Sequence, residues 1–204
     1  ITDNAAALIS AGDSVLADNG VDIVTASDPS VNANIGGVLA GFTADIEFDV
    51  VDDANAVAAE VAASGFGPGG LDEANTVVVS GGDVDTAEAA AIQSISGYEG
   101  SASDYDITDN AAALISAGDG VLDVDGVDIV SASDPSVNAN DGAILAGFTA
   151  DVEFDVVDTA NAVAAEVTGS NGAGDLDEAN SVVVSGGDVD AFEAAAIQSI
   201  SGYE

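Results

Sequence analysis

The feature that most constrains the fold of this chain is a long internal repeat. Residues 1–64 align with residues 107–170 with twelve mismatches in 64 positions, and residues 71–99 align with residues 176–204 with three mismatches in 29. A connection that contains Gly and differs in length between the copies separates the two aligned blocks. Because a fixed period means that one structural unit is used again, the fold must be built from a unit that packs beside its own copy.

Each copy is made of shorter units in which a strand candidate precedes a helix candidate. Strand candidates rich in β-branched residues occur at "VDIV" (21–24), "IEFDVV" (46–51), "TVVVS" (76–80) and "YDIT" (105–108). Helix starts are indicated by Asp3, by Asp28 followed by Pro29, by Asp52 or Asp53, and by Asp85, which forms a capping-box pattern with Glu88. We predict two domains of four βα units each, residues 1–106 and residues 107–204.

The helix candidates carry small apolar stripes. Ala54, Val57, Ala58 and Val61 follow helical spacing, and Val31, Val38, Leu39 and Phe42 form a similar stripe. Since these side chains are mostly small, we expect the helices to lie close to a sheet.

The alternation of strands and helices predicts parallel strands joined by right-handed crossovers. In "IEFDVV", Ile46, Phe48 and Val50 fall on one face and Glu47 and Asp49 on the other, and Val21 and Ile23 likewise oppose Asp22. A doubly wound sheet would show continuous apolar strands, and a closed barrel would need an apolar interior. We therefore predict an α/β fold that is an open tandem βα-repeat solenoid, with helices on one face and an acidic sheet on the other.

The charge balance is extreme. The chain has 38 Asp and Glu residues and no Lys, Arg or His, which gives a formal charge of −38, yet 48% of its residues are hydrophobic. This hydrophobic content separates it from disordered acidic chains. Folding then requires multivalent cations, high salt or low pH to reduce the repulsion between carboxylates.

The strand-face Asp residues are the candidate metal ligands. In a stacked sheet, neighbouring strands lie about 4.8 Å apart, so Asp22 and Asp49 would be neighbours, as would Asp106, Asp128 and Asp155. Calcium, or another divalent cation with the same preference for oxygen ligands, could hold such a row together. The alternative is that these carboxylates are solvated, with sodium as the counter-ion.

The same composition argues against several functions. A polyanion does not bind nucleic acid unaided, and no apolar stretch is long enough for membrane insertion. Without His, Cys, Lys or Arg, most nucleophiles, bases and oxyanion-stabilising groups are missing, so we expect that the chain is not an enzyme. Paired carboxylates leave glycan hydrolysis as a distant alternative. The absence of Cys and of Lys and Arg is compatible with an extracellular or cell-surface location.

Two phrases carry a resemblance to a known group of repeats. "ITDNAAAL" and "VDDANAV" resemble the V-S-D-T-A-A-N-I repeats of very large secreted bacterial surface proteins, including haemolysin-type and cyanobacterial ones. The resemblance implies an acidic, cysteine-poor, calcium-associated chain that is exported as an adhesin or as surface-layer material. The chain departs from that group in having Asn4 and Asn110 where Thr is usual and in lacking basic residues.

Together these observations predict a structural segment of an extracellular filament or surface layer. We expect it to be a piece of a longer tandem array, to associate end to end with itself, and to be stiffened by divalent cations. A calcium-dependent adhesin or binding module is the alternative.

Overall fold

The chain divides into two compact lobes. A computed structural model describes residues 1–17, 21, 23–63, 69–169 and 176–204. The first lobe comprises residues 1–106 and 125–128, and the second comprises residues 107–124 and 129–204. Four residues of the second predicted repeat, 125–128, therefore belong to the first lobe.

The first lobe alternates short strands with helices. Its elements are β1 (Thr2–Asp3), α1 (Ala5–Ala11), α2 (Asp13–Leu16), β2 (Val24–Ala26), α3 (Ala33–Ala40), β3 (Ile46–Glu47), β4 (Asp49–Asp52), α4 (Ala54–Ala63), β5 (Thr76–Val84), α5 (Thr86–Gln93) and the first half of β6 (Asp104–Asp109). Two 3₁₀ helices, Gly69–Glu73 and Gly100–Ala102, precede β5 and β6.

The second lobe follows the same order. Its elements are the second half of β6, α6 (Ala111–Ala117), α7 (Asp119–Leu122), most of β7 (Val127–Ala132), α8 (Ala139–Ala146), β8 (Val152–Glu153), β9 (Asp155–Asp158), α9 (Ala160–Gly169), β10 (Ser181–Val184) and α10 (Ala191–Ile197).

The strands pair in parallel. In the first lobe β1 pairs with β2, β2 with β3 and β4 with β5, and Asp49 lies opposite Thr76. In the second lobe β7 pairs with β8 and β9 with β10, with Asp155 opposite Ser181. Helices connect most of the successive strands, as parallel pairing requires. The predicted α/β class with parallel sheets is thereby confirmed.

The helices pack closely on the strands through small residues. The predicted stripe of α4 is confirmed, because Ala54, Val57, Ala58 and Val61 are all buried. The stripe predicted around α3 is wrong at Val38, which is 42% exposed, and the buried residues of this helix are Ala33, Gly36 and Leu39. A Cβ at Gly36 would lie 2.9 Å from Val50 Cγ2, so the helix touches the strand where it has no side chain.

The strand predicted at 46–51 is interrupted at Phe48. This residue is buried, and its carbonyl accepts a hydrogen bond from the Asn75 amide at 2.8 Å. The interruption lets β3 pair with β2 while β4 pairs with β5. One predicted strand therefore serves two different strand pairs.

The inward and outward positions of "VDIV" were predicted incorrectly. Ile23 and its counterpart Ile129 are 58% and 41% exposed, whereas Val24 and Val130 are buried. The register explains the difference, since Val24 lies opposite the buried Ile46 and therefore points inward. A residue directly before an inward position points outward.

The predicted helix starts are partly correct. The capping box of Asp85 and Glu88 is confirmed. Pro29 does not begin a helix; the segment before α3 instead bridges β4, with the Val31 amide donating to the Asp49 carbonyl at 2.8 Å. Helices α1 and α3 are capped by Asn4 and Asn32, whose side chains accept from amides of the first turn.

Candidate functional site

The predicted metal ligands on the sheet are placed beside hydroxyl groups. The Thr76 hydroxyl donates to Asp49 Oδ1 at 2.9 Å, and in the second lobe the Ser181 hydroxyl donates to Asp155 Oδ1 at 2.7 Å. These carboxylates are half-buried. Each one therefore has a hydrogen-bond donor on the neighbouring strand.

The other three predicted ligands are less enclosed or lie outside the described residues. Asp106 is half-buried in β6, and Asp128 is exposed in β7. Both belong to the first lobe, where the Tyr105 amide donates to the Gly126 carbonyl at 3.0 Å. Asp22 lies outside the described residues. Over the described ranges, no group of three or more acidic side chains is arranged to hold a metal ion, and the calcium site stays a prediction.

A second pair of hydroxyl–carboxylate contacts was not predicted. Thr25 donates to Glu47 at 3.1 Å, and Ser131 donates to Glu153 at 3.3 Å. The sequence did contain a signal for both sets, because the two copies exchange Thr for Ser at positions 25/131 and 76/181 and thus keep the hydroxyl. The outer strand positions are therefore built as donor–acceptor pairs.

The main use of carboxylates is to join one βα unit to another. The amide of Ala5 at the start of α1 donates to Asp28 Oδ2 at 2.6 Å, and the amide of Ala33 at the start of α3 donates to Asp52 Oδ2 at 3.0 Å. The first amides of a helix have no acceptor within the helix. A carboxylate at this position also meets the positive end of the helix dipole.

The second lobe contains the same two bonds. The Ala111 amide donates to Asp134 at 2.7 Å, and the Ala139 amide donates to Asp158 at 3.1 Å. Asp28 and Asp52 were predicted to cap the helices that follow them. They instead bind amides 23 and 19 residues earlier in the chain, because the extended segment after each Asp carries the chain away before the next helix begins.

Two further carboxylate types join units over longer separations. Asp13 accepts from the amide and the hydroxyl of Thr43 and from the Ala44 amide, and Asp119 accepts from the same groups of Thr149 and Ala150. The hydrogen bond from the Thr43 hydroxyl lowers the pKa of Asp13. Asp72 and Asp177 accept from the amides of Ser96 and Ser201, respectively.

A tyrosine cluster occupies the end of the first lobe. Tyr105 is 1% exposed, and its hydroxyl accepts from Gln93 Nε2 at 2.8 Å. Tyr98 donates to the Asp125 carbonyl at 2.9 Å, and a Cβ at Gly126 would collide with the Tyr98 hydroxyl. Burial raises the pKa of Tyr98 and of Tyr105. The cluster holds residues 125–128 of the second repeat on the first lobe.

The cavities are shallow and do not gather catalytic groups. A groove of about 230 Å³ between α4 and α5 is lined mainly by Ala58, Val61, Ala62, Ala87 and Ala91. Its charged lining residues, Asp85 and Glu88, already form the capping box of α5. Such a surface offers apolar contact and no pair of acid and base.

Comparison with protein-family models, with curated proteins and with solved structures gives no significant match. The resemblance to secreted surface repeats therefore stays a prediction. Within the described part of the chain, no helix has the length and apolar character needed to cross a bilayer.

Proposed function

We propose that this chain is a structural segment of an extracellular filament or surface layer, built as an open α/β solenoid of tandem βα units. The observation that carries the proposal is the set of carboxylate-to-amide bonds that join βα units and recur at matching positions of both copies. Bonds of this kind fix one unit on the next. They supply rigidity along a stack and supply no chemistry for a substrate.

The order of the strands supports a stack. The first sheet of the first lobe has the order β1, β2, β3, so spatial neighbours are also neighbours along the chain. Solenoids have this property, because each unit contacts mainly the units before and after it.

The charge supports a role outside nucleic-acid or enzyme chemistry. Many carboxylates are used as hydrogen-bond acceptors, while others, such as Asp128, are exposed on strands. We propose that divalent cations bind among the exposed carboxylates when chains assemble, because assembly brings further negative charge together. Calcium suits this role since it accepts six to eight oxygen ligands in flexible geometry.

The proposal is tested by imaging and by solution scattering. Small-angle X-ray scattering of the chain in 1 M NaCl should give the profile of an elongated rod, and electron microscopy with millimolar calcium should show fibres or sheets. A chelator and an equal ionic strength of NaCl serve as controls. Compact, monodisperse particles in all conditions would contradict the proposal, and calcium binding without assembly would favour the adhesin alternative.

A further inference from the structure

The two copies of one strand differ in length although their sequences are almost identical. The segment "TVVVSGGDV" forms the nine-residue strand β5, whereas "SVVVSGGDV" forms the four-residue strand β10. A single Thr-to-Ser change that keeps the hydroxyl does not account for the loss of five strand residues. The neighbours of the two strands account for it.

Strand β5 has a neighbour on each side. It pairs with β4, and its other edge is next to β6, where the Val79 amide donates to the Ser103 hydroxyl at 3.0 Å. Strand β10 pairs with β9 and bridges Tyr203 through Val182. Beyond that bridge, no further strand covers this edge of β10 among the described residues.

Exposure changes at the same places. Val79 and Val84 are buried at 0% and 2%, and Ala89 of α5 is buried at 0%. Their counterparts are only half-buried, and Gln198, the counterpart of the tyrosine-binding Gln93, is exposed. The half-buried counterparts are Val184, Val189 and Ala194. An apolar strip with an open strand edge therefore runs along β10 and α10.

We infer that the open edge of β10 and the adjoining face of α10 bind an extended strand with the sequence of Gly100–Asp109, supplied by another copy of the repeat. This inference rests on the proposed stacking of tandem units and names the surface through which one repeat receives the next. An extended peptide adds to a sheet edge through main-chain hydrogen bonds, while alternate side chains enter pockets. In the first lobe the side chain that enters is Tyr105.

The tyrosine selects this occupant over the first strand of a second molecule. Ile1-Thr2-Asp3 repeats the sequence Ile107-Thr108-Asp109, and Ile1 is 51% exposed, but no tyrosine precedes it. A strand that lacks the tyrosine would leave the end of α10 and Gln198 uncovered. The segment Gly100–Asp109 supplies both the hydroxyl of Ser103 and the ring of Tyr105.

The test uses the full chain and a labelled synthetic peptide, GSASDYDITD, in a fluorescence anisotropy titration. We expect saturable binding that tightens between 0.1 and 1 M NaCl, because both partners are acidic and the Debye length falls from about 10 Å to about 3 Å. A peptide with the Tyr105→Ser change should bind at least about tenfold more weakly, since buried tyrosines dominate such interfaces. Amide hydrogen exchange should show protection at Val183–Val189.

Receptor variants locate the site. Val184→Asp should abolish binding, whereas Val157→Asp, a change at an exposed position of the neighbouring strand β9, should not. If Val184→Asp fails to fold, the comparison of the two peptides still decides. Equal binding of both peptides, no saturable binding, or protection over Ile1–Asp3 would overturn the inference. So would self-association of the chain that excess peptide does not reduce. A rod-like scattering profile would survive any of these results, which separates this inference from the proposed function.

Discussion

The carboxylate of Asp28 satisfies an amide of α1 that the helix cannot satisfy itself. Asn4 accepts from the Ala7 amide at 3.0 Å, and Asp28 accepts from the Ala5 amide. One helix start thus uses an acceptor next to it in sequence and another from a later βα unit. The same division holds for α6, with Asn110 and Asp134.

Replacing Asp28 by alanine should lower the free energy of unfolding by about 1–2 kcal/mol, because a half-buried amide loses a charged acceptor. Asp134→Ala should give a similar loss in the second lobe. The measurement is urea unfolding followed by circular dichroism in 1 M NaCl. Asp45→Ala is the control, since Asp45 is exposed and its removal also takes away one negative charge. Equal effects of Asp28→Ala and Asp45→Ala would show that charge, and not the hydrogen bond, matters.

Residue-level prediction succeeded where the partners are close in sequence. The pattern of Asp85 and Glu88 identifies the capping box because both groups lie within one helical turn. The partner of Asp28 could not be identified in this way, since it lies 23 residues earlier and depends on how two units stack. The five proposed metal ligands show the same limit, because local sequence places them on strands without specifying the hydroxyl opposite Asp49.

At the scale of elements, β7 is held at its start by a contact that tolerates only glycine. Gly126 has a φ of +101°, and its Cα faces the Tyr98 hydroxyl. The carbonyl of Gly126 accepts from the Tyr105 amide, and the carbonyl of Asp125 accepts from Tyr98. The beginning of this strand is therefore fixed by two tyrosines from the preceding repeat.

Gly126→Ala should destabilise the chain by about 1–3 kcal/mol, because the new methyl group meets both an unfavourable φ and the Tyr98 hydroxyl. Thermal unfolding of the variant, followed by circular dichroism, measures the effect. Gly120→Ala is the matched control: a Cβ at Gly120 meets nothing within 4 Å, and alanine is favoured over glycine in a helix by about 1 kcal/mol. A Gly126→Ala variant as stable as the unmodified chain would refute the steric account.

Element positions were predicted better than element phases. All four strand candidates of the first copy overlap observed strands, and the α4 stripe is buried as expected. The phase of "VDIV" and the break at Phe48 were missed because both are set by the register with a neighbouring strand. Alternation within four residues cannot report that register.

At the scale of the whole molecule, 38 acidic side chains share one chain with no basic partner. Two carboxylates about 5 Å apart repel by roughly 3 kcal/mol at an effective dielectric of 20 and by roughly 0.8 kcal/mol in bulk water. Hydrogen bonds to amides and hydroxyls stabilise individual carboxylates. They do not remove the repulsion between them, so the solvent must supply counter-ions.

The melting temperature should therefore rise with NaCl concentration and level off near 1 M, where the Debye length is about 3 Å. Calcium at a few millimolar should raise it further than NaCl of the same ionic strength if divalent ions bind among the exposed carboxylates. Differential scanning calorimetry with chelator, NaCl and calcium series measures both effects. Coincident NaCl and calcium curves at matched ionic strength would eliminate the proposed cation binding and leave screening alone.

The bonds from Asp28 to Ala5 and from Asp134 to Ala111 also impose a direction in time. A ribosome delivers the helix before it delivers the carboxylate that completes the helix start. The newest helix of this type on a growing chain is therefore always unfinished, and it becomes complete only when about one more βα unit has emerged. Slowing synthesis within residues 5–28 should prolong the lifetime of an incompletely capped α1, whereas a pause after Asp28 should not.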